Sequence, residues 1–130
     1  MPALDRLRGA RVVADPAALD AFEAALPEGA LALRFAPDDV FVIGVLAASL
    51  EVGDEHAIVA DEVGLVGAWC AVDEVVPHVE WQLPAGRPAL AQGSIAGVPA
   101  KLWLPDQGDA LLVTAAAYAS TLAERLGWRA

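Results

Sequence analysis

The chain has 130 residues, room for one domain with a real core, and its single cysteine, Cys70, excludes an internal disulfide framework or any CxxC metal or redox pair. Eighteen Asp and Glu against eight Lys and Arg give a formal net charge of −10, which opposes binding to nucleic acid or anionic lipid, because phosphate contacts need clustered cations. No apolar run approaches the roughly 20 residues of a spanning helix, and the charged start MPALDRLRGARVVAD lacks the apolar centre of a signal peptide. The expected location is the cytoplasm.

In chain order, residues 1–10 read as a loose leader and RVVA (11–14) as a short strand. Asp15 offers a helix N-cap with Pro16 at the first helical position, and Leu19, Phe22, Ala25 and Leu26 recur at helical spacing. LALRFA (31–36) alternates like a strand, PDD turns the chain, and VFVIGVL (40–46) reads as a buried strand. HAIVAD (56–61) and GLVGAWCAV (64–72) follow, joined where Asp61, Glu62 and Gly64 suit a short hairpin connection.

Asp73 and Glu74 favour the start of a short helix, which Pro77 shortens or distorts. ALAQGSIAGVPAKLWL (89–104) then predicts a hairpin with Gly97 at its turn. Its glycines lead into a strand and not a helix, so a phosphate cradle is not expected. ALLVT is a strand, and AAAYASTLAERLGW is a helix ended near Gly127. Short adjacent strands with turn-length links give an α+β class, mostly antiparallel with two or three helices, and a single domain spanning 1–130.

Candidate chemistry is sparse. Glu51, Asp54, Glu55 and His56 share one short loop that offers oxygen and imidazole ligands to a divalent ion, without the alternating carboxylates of a calcium loop. His56 and His78 lack the spacing of a helical metal pair, and Ser49, Ser94 and Ser120 lack a nucleophile-elbow context. Cys70, inside an apolar strand beside Trp69, reads as a buried, inert thiol. Of the four tryptophans, Trp81 and Trp128 are the expected partly exposed interface anchors. Between Arg34 and Arg87 there is no Lys or Arg, while ten carboxylates fall there; this is an acidic surface suited to solvent, a basic partner or a cation.

PALAQGSIAGVPAKLWL, an acidic turn, and ALLVTAAAYASTLAERL together resemble the C-terminal part of the gamma subunit of heterotetrameric sarcosine oxidase, and LRFAPDDVFVIG resembles an upstream strand of the same family. That subunit is related to the folate-binding domain of glycine-cleavage aminomethyltransferases, and the strand–strand–helix–three strands–helix order is similar to one repeat of that fold. The Lys-Gly-Cys-x-x-Gly-Gln-Glu signature of the iron–sulfur-linked relatives is absent. The resemblance implies a non-catalytic subunit or accessory protein with no cofactor of its own. It would act by association, as a homo-oligomer (a dimer favoured) or with flavin amine oxidase subunits. The alternative it implies is a folate- or pterin-like ligand whose carboxylates would meet Arg34, Arg87 or Lys101.

Overall fold

Two antiparallel sheets carry the fold of the computed structural model, which describes residues 2–128. The strands are β1 (Asp5–Arg6), β2 (Gly9–Val13), β3 (Leu31–Ala36), β4 (Asp39–Ile43), β5 (Ile58–Glu62), β6 (Leu65–Cys70), β7 (Ala89–Ile95), β8 (Val98–Leu104) and β9 (Ala110–Ala115). The α-helices are α1 (Pro16–Ala24), α2 (Val72–Val75) and α3 (Ala119–Leu126). The chain divides into two compact units, one formed by Leu7–Val63 and the other by the segments on either side of it.

In the unit Leu7–Val63 the strand order is β3-β4-β2-β5. Alternation puts Val12, Val40 and Val42 on the face that α1 covers with Leu19 and Phe22, and all five side chains are buried. The helix starts as expected, with the Asp15 carboxylate accepting the Ala17 N–H at 3.1 Å and Pro16 at the first turn. On the opposite face Arg11, in the centre of β2, donates twice to Asp39 of β4 at 2.7 Å and once to Glu62 of β5 at 2.8 Å. Its guanidinium also lies 4.8 Å from the centre of the Phe35 ring. The Asp39 hydrogen bonds, with help from Glu62 and against partial burial, raise the Arg11 pKa further above its ordinary value. One side chain thereby ties three strands.

The other unit has the order β1-β6-β9-β8-β7. Its inner face, Ala68, Cys70, Ala91, Ile95, Ala100, Leu102, Leu104, Ala110 and Leu112, packs with Leu122, Ala123 and Leu126 of α3. The β7–β8 hairpin pairs in continuous register from Ile95–Val98 to Ala89–Leu104. Its two-residue turn has φ of 51° at Ala96 and 77° at Gly97, the positive pair that a type I′ turn requires. Thr114, the one buried polar side chain among the described residues, donates its hydroxyl to the Pro99 carbonyl at 2.9 Å.

Three expectations change. Residues 1–10 are not a loose leader over their described part: Asp5 and Arg6 pair with Gly67 and Val66, and β2 begins at Gly9. Backbone pairing to β6 and the packing of Leu4 against the core hold this stretch. The segments 56–61 and 64–72 do not form a hairpin together. β5 pairs with β2 along all five of its residues and β6 pairs with β9 along all six, with β1 on its other side, so long-range ladders prevail over a hairpin between neighbours. Trp128 is only 8% exposed and belongs to the core, so it is no surface anchor. Gly127 ends α3 in the left-handed conformation (φ 76°), and the Trp128 N–H returns to the Ala123 carbonyl at 2.8 Å, folding the indole inward.

Nothing lies within 4 Å of the position a Cβ would take at Gly127. Gly127→Ala therefore tests backbone conformation alone. A loss of about 1 kcal/mol in chemical denaturation is expected, with Trp128 emission shifting to the red as its ring loosens.

Candidate functional site

A groove of about 330 Å³ lies between the segment after α2 and the tip of the β7–β8 hairpin. The Glu74 carboxylate accepts the Ala71 N–H at 3.1 Å and starts α2. The α-helix lasts one turn, Pro77 follows within a 3-10 turn over Val76–His78, and Val79 leaves in extended conformation to bridge Ile95. That exit delivers Trp81 onto Gly93. A Cβ at Gly93 would fall 2.8 Å from the indole, so the ring can lie flat against β7 only because the position is glycine. The indole N–H donates to the Ser94 carbonyl at 2.8 Å, which fixes the ring's orientation.

Trp81 forms one wall of the groove, His78, Glu80 and Ser94 its polar rim, and Ala96 and Gly97 its end. The hairpin tip is held from two sides. The Ala96 N–H donates to the His78 carbonyl at 2.8 Å, and Arg125 of α3 donates to the Ala96 carbonyl at 2.9 Å. Among the described residues no hydrogen bond links Ser94, His78 and Glu80. The arrangement offers a stacking surface with polar contacts at its edge, which is binding chemistry.

The cations expected to meet a ligand's carboxylates are not gathered there. Arg34 donates to Glu23 at 2.6 Å, to Asp20 at 2.5 Å and to the Pro37 carbonyl at 2.7 Å. Burial works to lower its pKa, but Asp20 and Glu23 outweigh that and the net shift is upward. Arg87 donates to the carbonyls of Pro84 and Gly86 in the loop before β7. Lys101 lies in β8 opposite Gln92, and none of the three cations lines the groove.

The acidic loop is organised around its own backbone. Asp54 accepts the N–H of Asp15 and of His56, each at 2.9 Å, and these two bonds, in that order, lower its pKa. His56 and Glu55 form an exposed pair at 3.4 Å. Among the described residues no group of three or more His, Cys, Asp or Glu side chains is placed to hold a metal ion.

Trp81 is half-buried, and the exposed indole in this unit is Trp69, at 55%. Trp69 lies opposite Leu111, which in turn lies opposite Trp103, on the face of the sheet away from α3. Strand alternation alone separates Trp69 from its buried neighbour Cys70, and that signal was present in GLVGAWCAV. The groove residues His78 and Glu80 had no such signal, because a distorted helix exit and a hairpin tip converge only in three dimensions.

Burial, with smaller additions from Glu74 and Asp109, pushes the Cys70 thiol up to about 11. The folded state holds this proton more tightly than the unfolded chain. Its contribution to stability is therefore complete below the ordinary thiol value and is lost as pH climbs towards about 11. At mildly alkaline pH, alkylation of native Cys70 should run roughly a hundredfold slower than in urea; equal rates would show an open thiol. Gly93→Ala should drive Trp81 off β7, seen as a red shift and stronger acrylamide quenching, with a destabilisation of about 1–3 kcal/mol.

No family model and no curated protein matches the sequence. Among solved structures, the chain is similar to a chain of the heterotetrameric sarcosine oxidase from Corynebacterium sp. U-96 in complex with pyrrole 2-carboxylate. The identity is 16% and the TM-score 0.74, over 97% of this chain and 80% of that one. The matched chain is thus only modestly longer than this one. No helix among the described residues is long and apolar enough to cross a membrane. This chain has the α+β fold of a chain of a heterotetrameric sarcosine oxidase.

Proposed function

We propose that this protein is an accessory subunit that works by associating with another protein chain, in the manner of a small subunit of a flavin amine oxidase. The fold carries the reading, since it matches a chain of a hetero-oligomeric oxidase along nearly all of its length. The local chemistry agrees with it. The most exposed indole, Trp69, stands on a sheet face next to Leu111 and Trp103. A rigid aromatic on a strand is a low-entropy anchor for a protein contact.

Gel filtration with light scattering tests this directly. The chain, co-expressed with a flavin amine oxidase chain, should co-elute with it at a fixed ratio and carry flavin absorbance in the same peak. A chain that stays monomeric at every concentration and leaves the oxidase unaccompanied would overturn the reading. Trp69→Ala should weaken co-elution while changing the isolated chain's stability by less than about 0.5 kcal/mol.

A further inference from the structure

The two sheets have four edge strands among the described residues, and three of them are blunted. β1 is only two residues long. β3 carries a bulge between Arg34 and Ala36. β7 is crossed at its end by Val79, and its Ser94 carbonyl is occupied by the Trp81 indole. These are ordinary devices for preventing strand addition. β5 has none of them. Its five residues, IVADE, pair with β2 in unbroken register, contain no proline, and have a strand on one side only.

Side chains around β5 reinforce this opening. Ile58 is 65% exposed and lies directly opposite Val13, itself at the surface, while Val63 just past the strand is 64% exposed. The unit Leu7–Val63 has only three cations, all arginine, against eleven carboxylates. Two of those arginines, Arg11 and Arg34, are bonded to carboxylates of the same unit. The loop leading to β5 carries Glu51, Asp54 and Glu55, and the strand itself carries Asp61, which accepts the Ala47 N–H at 2.9 Å, and Glu62, whose charge Arg11 already meets. An apolar edge in a unit of eleven carboxylates and three arginines, two of them already paired and the third, Arg8, exposed just before β2, is on balance complementary to a strand that alternates apolar residues with Lys or Arg.

We infer that β5 is a strand-addition site for a basic, extended segment of a partner protein. The inference rests on the accessory-subunit reading and names the surface and the partner's chemistry. A second copy of this chain is disfavoured as the occupant, because self-pairing would bring two acid-rich edges, each on a chain of net charge −10, against one another. The backbone of β5 would supply the ladder, Ile58 and Val63 the apolar contacts, and the surrounding carboxylates the preference for basic residues.

The test uses the full chain and a short soluble peptide alternating lysine with valine, followed by amide hydrogen exchange. Binding should slow exchange within residues 58–62 and weaken as salt is raised. A matching glutamate–valine peptide should protect nothing, and Ile58→Lys with Val63→Lys should weaken the lysine peptide about tenfold or more. Protection at another strand, or equal protection by both peptides, would overturn the proposal. So would a dimer of this chain whose exchange is slowed at β5 without peptide. The wider reading is judged apart, by co-elution. If the double variant still assembles fully with the oxidase chain, the edge proposal fails and the subunit reading stands. If β5 takes the basic peptide while no assembly forms, the proposal stands and the subunit reading fails.

Discussion

The two-residue turn at Ala96 and Gly97 fixes the pairing of β7 with β8, and much of the larger unit follows from that register. With Ile95 opposite Val98, the side chains of Leu102 and Leu104 fall on the inner face with Ala91 and Ile95, and Lys101 and Trp103 fall on the outer one. A slip by one residue would exchange the two faces, moving lysine into the core beneath α3 and leucine to the opposite face. β9 then joins with Leu102 opposite Leu112, and α3 covers the inner face through Leu122, Ala123 and Leu126. The tip that sets this register also closes one end of the Trp81 groove, with its Ala96 peptide bonded on both sides. Packing and candidate site therefore share one local conformation.

The unit Leu7–Val63 uses a different device. Its covered face is apolar, but its other face is organised by a charge, since Arg11 bonds to carboxylates on two neighbouring strands and stacks against Phe35. Such partly exposed pairs contribute modestly to stability, typically up to about 1 kcal/mol each. Their larger effect here is on specificity: Asp39 and Glu62 lie on opposite diagonals from Arg11, so only the observed register of β4, β2 and β5 satisfies both. The bonds of Arg11 here, and of Arg34 to Asp20 and Glu23, take up two of the acidic unit's three cations in internal contacts. The surface that remains, around β5, is negative and apolar together, which favours a basic strand over a second acidic copy.

Much of this was legible in the residues. LALRFA is a strand over the same residues that alternation marks, Asp15 and Pro16 start α1, Pro77 ends α2 as an α-helix, and Gly97 turns the hairpin. Each is a short-range rule, in which φ restriction, a missing N–H or a two-residue period acts over a few neighbours. The family resemblance likewise rested on short patterns, and the fold it implied is the one found. What was misread needed longer reach. AIVAD and GLVGAWC look like hairpin arms because they are adjacent, yet they belong to different sheets, and Trp128 looks terminal although Gly127 turns it back into the core.

The sequence by itself determined the α+β class, the acidic character, the position of most strands and the absence of disulfide or CxxC chemistry, because these follow from composition and local periodicity. Tertiary structure decided which strands share a sheet, which indole faces solvent, and that Arg34 is tied to Asp20 and Glu23. It also decided that His78, Trp81, Ser94 and Ala96 meet at one groove, and that β5 alone among the described edges is left open. These outcomes depend on pairings between residues far apart in the chain, where burial and complementary hydrogen bonds choose among partners that local preference treats alike.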